Sequence, residues 1–411
     1  MTQTDPVQAP PSPSASPRPG PSASASPASP ASTGRLVGVD LARALAVFGM
    51  FAVHIGPQPG AVGGVGGWLL RLSEGRASVL FATLAGFSLM LIAGRREPRT
   101  GLDGRRVKIR IAIRALVLFA IGTALSAAGA GAMVILAYYG VYFLLALPLL
   151  RLQTRTLAIL AAVLAVVTPL LQFALTTWVV GPVEATVNAN DPLKQLGDVG
   201  VLDLLVTGYY PTVTWMTFVV TGMALGRLDL SAVGVQRRLA GLGAALIAFG
   251  YGVPYLLTRL SGRLHEVAQL PWGRAAEGGG SGKAALEAAG DTDGWMLLLA
   301  QPHSGSTFDM AGSLGVAFTV LVGATVALAR LPWLRRLLAP VVAVGTMSLT
   351  AYVGHFVAST ALGVPLGEDI VSAAPLLCFI AGAVLFAALW SRFFRRGPLE
   401  HLVHLATRAA R

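Results

Sequence analysis

Long apolar stretches separated by short polar ones run through almost the whole chain from residue 36 onward. A helix that crosses a bilayer needs about 20 mostly apolar residues, and about ten stretches approach that length. We therefore predict an all-α fold, a polytopic membrane helix bundle with about ten transmembrane helices. The predicted spans are 36–56, 77–94, 112–130, 133–150, 157–180, 204–226, 239–258, 311–330, 338–360 and 372–391. Only Gly129-Ala130-Gly131 separates the third from the fourth, so these two could instead form one broken pair.

The first 34 residues differ from the rest, since they consist almost entirely of Pro, Ser, Ala, Gly and Thr. Such a tract buries too little apolar surface to offset its chain entropy, and it lacks the apolar run of a secretion signal. We predict a disordered cytoplasmic tail at 1–34, a ten-span transmembrane domain at 35–396 and a basic cytoplasmic tail at 397–411. Residues 259–310 are expected to form a long flexible extracytoplasmic loop.

The connection 95–114 sets the orientation of the bundle, because eight of its residues are Lys or Arg. By the positive-inside rule this connection is cytoplasmic, and alternation from it predicts that both termini lie inside. Most of the other basic residues then also fall inside, which supports an even number of spans. The connection could serve topology alone, or it could also attract an anionic donor such as an acyl-coenzyme A.

The composition agrees with a membrane protein: 54% of the residues are hydrophobic, 12% are charged and the mean hydropathy is +0.67. Soluble domains carry about 25% charged residues, so an ordinary soluble enzyme is excluded. The net charge of +12 follows topology, and we expect no nucleic-acid partner. Cys378 is the one cysteine, which excludes a disulfide framework, and no metal-ligand spacing occurs. The stretch Glu277–Lys283 lacks the first glycine and the final Ser or Thr of a phosphate-binding loop.

Ionisable side chains inside a span are costly and mark functional sites by default. The first predicted span contains Asp40, Arg43 and His54. Arg43 and His54 are eleven positions apart, almost three helical turns, so both side chains lie on one helix face. Their axial separation of about 16 Å puts Arg43 in the inner half and His54 near the outer boundary. Asp40 precedes Arg43 by three positions, close enough to pair with it.

Each of these residues also has a purely structural interpretation. Asp40 and Arg43 could form an ion pair that fixes helix packing, or they could bind a ligand. His54 could reach the lipid headgroups from the interface, or it could take part in chemistry. The residues around His355 in the ninth predicted span favour the chemical interpretation for His54.

A second histidine is expected at the same depth as His54. In the ninth predicted span, His355 lies about 25 Å from the cytoplasmic start of a straight helix. Ser348, Tyr352 and His355 follow one another at offsets of four and seven, so they share one helical stripe.

Three other outer ends of spans carry polar or amphipathic side chains. These are His303, Ser304 and Asp309 before the eighth span, Tyr210 and Trp215 at the sixth, and Glu74 and Arg76 at the second. Each group could line a substrate site. Alternatively, Ser or Asp could cap the eighth helix, the aromatic side chains could belong to an interface belt, and Glu74 with Arg76 could be a simple interfacial pair. The small residues Gly86, Gly222 and Gly226 are expected to permit close helix packing.

Histidine suits general base catalysis near neutral pH. An imidazole that faces outward could take a proton from an acceptor hydroxyl or amine, or it could carry an acyl group itself. Acyl transfer at the membrane is therefore one hypothesis that these histidines suggest.

Short motifs at these positions resemble those of known membrane acyltransferases. Arg43, ten residues and then His54 resembles the signature of the acyltransferase-3 family. Asp40-Leu-Ala-Arg43 and Ser348–His355 resemble segments of the heparan-α-glucosaminide N-acetyltransferase family. Segments around Glu74–Ala82, Gly208–Arg227 and Met347–Thr350 are similar to the bacterial domain of unknown function 418. These motifs together span most of residues 36–360.

The resemblance implies transfer of an acyl group, with acetyl expected, from cytosolic acyl-CoA to an acceptor on the outer face. It assigns Arg43 to donor or intermediate binding and His54 to the base or acyl carrier. Heparan-family enzymes place their catalytic histidine in the first extracytoplasmic loop, whereas that loop here, 57–76, contains none. Catalysis would then rest on His54, alone or with His355 or His303, and the acceptor pocket of those enzymes cannot be carried over.

We therefore predict a multi-pass acyltransferase of the plasma membrane, with membrane lipid, acyl-CoA and an outer glycan, lipid or small metabolite as partners. No metal is expected, and homodimer formation stays open. Two alternatives remain: a transporter or exporter in which Asp40, Arg43 and the histidines relay protons, and a family member without activity. The sequence shows neither an internal repeat nor paired broken helices in two halves, which argues against the transporter.

Overall fold

The structure is a computed structural model that describes residues 1–2, 36–130, 133–261, 295–298, 300–367 and 370–408. Contacts divide the chain into two units, residues 1–36 and 37–411, and the helices below all belong to the second. Most of the predicted tail, 3–34, and the centre of the predicted loop, 262–294, lie outside the described residues.

The described residues form helices and contain no strand, so the all-α class is confirmed. The first nine are α1 (Val37–Ile55), α2 (Pro59–Val62), α3 (Gly64–Ser73), α4 (Arg76–Ala93), α5 (Gly101–Leu125), α6 (Leu136–Ala146), α7 (Thr154–Ala174), α8 (Glu184–Asn190) and α9 (Pro192–Gly197). The others are α10 (Thr212–Gly226), α11 (Val233–Ile247), α12 (Val253–Leu260), α13 (Thr307–Arg330), α14 (Pro332–Leu337), α15 (Ala339–Thr346), α16 (Ser348–Leu362), α17 (Ala374–Phe393) and α18 (Pro398–Arg408).

Among the described helices, seven are long and apolar enough to cross a membrane, some after continuation through a π-helical turn. An eighth span results if α15 and α16 count as one. The two remaining predicted spans correspond to α6 and α10, of 11 and 15 residues. These would reach only about 17 and 23 Å across a hydrocarbon core of about 30 Å. The fold is that of a multi-pass membrane protein, while the count of ten and the inward orientation of both termini stay predictions.

Helix α1 lies at the centre of the bundle. It contacts α4, α13, α15, α16 and α17, and Leu45 is its only exposed residue, at 44%. A helix that is apolar nearly all round is buried rather than amphipathic. The charged residues of α1 are therefore held against other helices, and not against lipid.

Small residues bring α4 and α10 into close contact, as predicted. A Cβ added at Gly222 would overlap the carbonyl group of Thr83, and one added at Gly86 would overlap that of Val219. Gly226 approaches Phe87 and Met90 in the same way. Helices in a bilayer associate largely through such van der Waals packing, so these glycines fix the position of α4.

The predicted span 338–360 is wrong as one straight helix, because α15 and α16 meet at an angle of 87° around Met347. The carboxylate of Glu400 in α18 accepts hydrogen bonds from the backbone N–H groups of Leu349 at 2.8 Å and Thr350 at 3.2 Å. It also accepts one from the Thr350 hydroxyl at 2.5 Å. The first N–H groups of a helix have no partner within it, and Glu400 supplies one where α16 begins.

Two connections contain more helix than the hydropathy pattern indicated. The predicted tail 397–411 includes α18, which packs against α5 and α16. The basic connection 95–114 becomes helical at Gly101, so the residues from Arg105 to Arg114 lie on the first four turns of α5. Lys and Arg are good helix formers, and α5 therefore extends beyond its apolar part.

The contact between α4 and α10 can be tested with two matched substitutions. We expect Gly222→Ala to lower the melting temperature, because its Cβ would overlap the Thr83 carbonyl. Gly323→Ala in α13 is the control, since nothing lies within 4 Å of a Cβ there; alanine should even stabilise the helix by up to about 1 kcal/mol. Thermal unfolding of both variants in detergent is the measurement. Equal melting temperatures would contradict the close packing.

Candidate functional site

The predicted pair in α1 forms. Nη1 of Arg43 lies 2.9 Å from Oδ1 of Asp40, and Nη2 donates to the Ser88 hydroxyl of α4 at 2.8 Å. The Ser88 hydroxyl in turn donates to the Leu84 carbonyl at 2.6 Å. Arg43 is therefore held by two helices, which lowers the cost of placing its charge inside the bundle.

A cavity of about 270 Å³ lies beside Arg43. Its polar lining includes Arg43, Arg114, Ser88, Ser348, Tyr139 and Glu400, and its apolar lining includes Phe81, Leu84, Leu118 and Phe143. The charge of Arg114 is repelled by Arg43 and attracted by Glu400. Two guanidinium groups thus face one cavity, and the Glu400 carboxylate lies in the same lining; guanidinium groups suit anionic ligands.

Sequence reasoning missed Arg114 and Glu400 as members of this site. Arg114 was assigned to the basic connection, although it follows Ile111 and Ile113 inside the apolar part of α5. Arg114 lies one turn beyond the basic cluster, and this position is the sequence feature that could have identified it as a charge inside a span. The sequence does not indicate the role of Glu400, because that role depends on the bend between α15 and α16, which the hydropathy pattern does not show.

The two predicted histidines meet. Nδ1 of His54 lies 2.8 Å from Nε2 of His355, and the rings stack with centroids 5.1 Å apart at 16°. Their exposed fractions are 3% and 2%. His54 lies near the end of α1 and His355 in α16, so the bend at Met347 determines this contact.

The tautomers of the histidine pair are assigned from its hydrogen-bonding neighbours. Nδ1 of His355 faces the Tyr352 carbonyl, and a carbonyl oxygen can only accept, so this nitrogen carries the proton. In neutral His355 the other nitrogen, Nε2, then accepts from Nδ1 of His54. The proton of neutral His54 is thus on Nδ1, and Nε2 carries its basic lone pair.

One layer of aromatic rings separates the cavity from the histidine pair. Phe81, which lines the cavity, stacks between Tyr139 at 5.6 Å and Tyr352 at 5.9 Å. On its other side Tyr352 meets the ring of His54, with centroids 6.5 Å apart. Arg43 lines the cavity described above, and this layer lies between that cavity and His54.

A second group of predicted residues gathers around His303. Its ring stacks on Trp215, with centroids 5.8 Å apart, and meets the edges of Tyr209 and Tyr210. Its Nδ1 lies 3.2 Å from the Tyr209 carbonyl. Burial, together with the nearby charge of Arg76, lowers the pKa of His303 to about 4, so the ring is neutral at physiological pH.

The other residues predicted before α13 include its cap. The Ser306 hydroxyl accepts from the backbone N–H of Asp309 at 3.0 Å, which confirms a serine cap. Asp309 itself accepts from the Ser313 hydroxyl at 3.1 Å, and the Ser304 hydroxyl accepts from the Ser306 N–H at 3.3 Å. These contacts hold the loop in front of α13 in a fixed conformation.

Arg76 lies beside this loop. Its Nε donates to the Tyr251 hydroxyl at 2.8 Å, and its Nη1 donates to the carbonyls of Arg71 and Glu74 at 3.0 and 3.1 Å. The backbone of Pro302 and His303 packs on Gly75, the residue between Glu74 and Arg76. The outer end of the second predicted span thus contacts the His303 loop.

The carbonyl of Met133 connects the two groups of residues. The hydroxyl of Tyr210 lies 3.3 Å from it and that of Tyr352 lies 3.4 Å from it. The Tyr352 hydroxyl also accepts from the Ile135 N–H at 3.2 Å. The outer ends of the sixth and ninth predicted spans therefore converge on the short segment before α6. In the part of the chain that the structure describes, no group of three or more His, Cys, Asp or Glu could hold a metal ion.

The low pKa of His303 has a measurable consequence. The unfolded chain takes up a proton near the ordinary pKa of 6.5, while the folded protein does so only near 4. Folding stability should therefore fall as the pH drops from about 6.5 to about 4. His303→Gln removes this contribution, so its melting temperature should decrease less than that of the wild type over this range. An identical decrease in both proteins would contradict a buried neutral His303.

Comparisons with known proteins identify the family. The heparan-alpha-glucosaminide N-acetyltransferase catalytic family matches residues 35–249, just over half of the chain, and a protein family of unknown function, DUF418, matches residues 284–410. No curated protein matches the chain. The first match contains Asp40, Arg43, His54, Arg114 and Tyr139, and the second contains His303, His355 and Glu400. The first of these two matches supports a membrane N-acetyltransferase-like function in general. The chain belongs to the heparan-alpha-glucosaminide N-acetyltransferase catalytic family.

Proposed function

We propose that this protein transfers an acyl group, acetyl in the first instance, from cytosolic acyl-CoA to an acceptor on the outer face of the plasma membrane. The acceptor is an amine or hydroxyl group of a glycan, a lipid or a small metabolite. The single observation that carries the proposal is the buried pair of His54 and His355, one aromatic layer away from a cavity that two arginines line.

The cavity suits the anionic part of the donor. Arg43 and Arg114 would bind phosphate oxygens of acyl-CoA, since guanidinium groups match phosphate geometry. Asp40 and Ser88 orient Arg43 through the hydrogen bonds described above. The basic first turns of α5 would raise the local concentration of an anionic donor at the cytoplasmic side. The thioester would then point toward Phe81 and the histidine pair.

His54 would act as the general base. Its Nε2 takes the proton of the acceptor amine or hydroxyl while the acceptor atom attacks the thioester carbonyl carbon. The tetrahedral adduct collapses as the C–S bond breaks, and the leaving thiolate receives the proton from His54. In the alternative route His54 accepts the acyl group first, releases the thiol, and then passes the group to the acceptor.

His355 would act as a positioning residue. By accepting from Nδ1 of His54 it keeps the basic lone pair on Nε2 and stabilises the imidazolium that forms when His54 takes the proton. Its own Nδ1–H is held by the Tyr352 carbonyl. This arrangement resembles the way a carboxylate orients a catalytic histidine, with a neutral group in place of the carboxylate.

The residues around His303 would form the acceptor side of the site. Aromatic faces such as those of Tyr210 and Trp215 suit the apolar face of a sugar ring or of a small metabolite. Ser304, Asp309, Glu74 and Arg76 would supply hydrogen bonds. Tyr352 contacts both the histidine pair and the Met133 carbonyl that Tyr210 reaches, so it would connect the acceptor side with the base.

Removing the imidazole of His54 tests the mechanism. With labelled acetyl-CoA and purified protein in liposomes, His54→Ala should lower the rate of label transfer by about 10²–10⁴-fold, the usual contribution of a general base. His401→Ala is the matched control, because His401 is an exposed histidine on α18. Unchanged transfer in folded His54→Ala would remove His54 from the mechanism.

Two substitutions at His355 separate positioning from simple packing. His355→Gln can still offer a side-chain oxygen to Nδ1 of His54, whereas His355→Ala offers none. We expect kcat to fall by about 10-fold or more in His355→Ala, with KM for acetyl-CoA nearly unchanged, and to fall less in His355→Gln. A loss of the same size in both variants would contradict the positioning role.

Transport is the second candidate function, and the broken helix of α15 and α16 favours it. Transporters often build their substrate sites from discontinuous helices, and a buried histidine pair could relay protons. Flux of a substrate through liposomes that depends on a pH gradient, without transfer of label from acetyl-CoA, would support this function over acyl transfer.

A further inference from the structure

The N-terminus of α16 opens on the cavity that contains the two arginines. Ser348 and Leu349, its first residues, both line the cavity. The residue before them, Met347, has no polar side chain that could cap the helix. A helix N-terminus presents N–H groups and a partial positive charge to an anion. At present the anion is Glu400, which reaches this position from α18, about 50 residues further along the chain.

Two further side chains in this cavity have polar atoms that lack a partner. Within the described part of the chain, the buried Tyr139 hydroxyl and the Nε of Arg114 make no hydrogen bond. Tyr139 has an exposed fraction of only 3% and lines the cavity. A buried polar group without a partner is costly, and a bound ligand with acceptor oxygens would remove that cost for both side chains.

Two carboxylates lie near the two arginines of the cavity. Asp40 lies against Arg43, and Glu400 offsets the charge of Arg114. The two carboxylates differ in their attachment, because Asp40 belongs to the central helix α1, whereas Glu400 is on the short terminal helix α18. Glu400 is therefore the anion that can leave without disturbing the centre of the bundle.

We propose that the N-terminus of α16, Arg114 and Tyr139 form a binding site for a phosphate group, and that Glu400 is a built-in competitor which leaves when the phosphate binds. A phosphate offers several acceptor oxygens, enough for the α16 N–H groups, the Arg114 guanidinium and the Tyr139 hydroxyl together. The phosphate comes from a soluble ligand or from a lipid headgroup. The link to the acyl donor rests on the proposed function, whereas the phosphate site itself does not.

Substitutions at the competitor and at the site have opposite expected effects on binding. Glu400→Gln keeps an oxygen for the N–H groups of Leu349 and Thr350 but removes the negative charge. Its affinity for pyrophosphate should rise by about 10-fold, the effect of about 1.4 kcal/mol. Arg114→Gln and Tyr139→Phe should weaken binding several-fold. Glu97→Gln is the control, since Glu97 is an exposed acidic residue outside the cavity, and its affinity should equal that of the wild type.

Two arms of the experiment distinguish the sources of the phosphate. Full-length protein in detergent is titrated with pyrophosphate by calorimetry. The same variants in nanodiscs of phosphatidylcholine with phosphatidylglycerol are analysed for retained lipid by mass spectrometry. Tighter pyrophosphate binding in Glu400→Gln supports a soluble ligand. Greater retention of phosphatidylglycerol in Glu400→Gln supports a lipid headgroup.

The proposal is wrong if all variants bind pyrophosphate with the affinity of the wild type and retain the same amount of phosphatidylglycerol. If Glu400→Gln proves unstable, Arg114→Gln and Tyr139→Phe against the wild type decide the outcome alone. The proposed function is judged separately, by label transfer from acetyl-CoA. If label is transferred from acetyl-CoA but all variants bind pyrophosphate and lipid equally, only the phosphate site is refuted. If the variants differ in binding as expected but no label is transferred, only the enzymatic activity is refuted.

Discussion

The ion pair between Asp40 and Arg43 is the constraint around which the bundle is organised. A charge inside a membrane protein must be paired and surrounded by protein, and here it lies on a helix that several others surround. The carbonyl of Asp40 also packs so tightly on Gly345 that a Cβ there would overlap it. Helix α15 is therefore fixed against the pair, and its end determines where α16 begins. The position of the cavity and of His355 both depend on this contact.

Helix α16 joins the two halves of the candidate site. Ser348 lines the cavity, Tyr352 belongs to the aromatic layer, and His355 meets His54. These three residues share one helical stripe, so a single face of α16 extends from the cavity of Arg43 and Arg114 to the histidine pair. Because α16 is short and anchored by Glu400 at one end, a ligand that displaces Glu400 would act on the helix that carries His355. Under the proposed function, donor binding would thus be mechanically connected to the geometry of the base.

The periodicity of single helices explains what the sequence could predict. The pairing of Asp40 with Arg43, the stripe of α16 and the small residues between α4 and α10 all follow from spacing within one helix. The depth of His355 was derived from a straight helix, and that premise is wrong; the meeting with His54 results from the 87° bend. Hydropathy cannot reveal such a bend, because both halves are apolar. The role of Glu400 depends on a contact between distant segments, which no local pattern contains, whereas Arg114 could have been identified from its position inside the apolar part of α5.

The burial of α1 also bears on how the protein is made. Of the helices in the described residues this one is synthesised first, and it carries an aspartate and an arginine that are costly to place in a bilayer. Ser88 in α4 arrives soon afterwards, but Gly345, which covers the Asp40 carbonyl, is synthesised about 300 residues later. Insertion of α1 therefore has to wait for its neighbours, or to be assisted by the insertion machinery. In biogenesis, the charged residues of this helix make it dependent on a partner that is synthesised late.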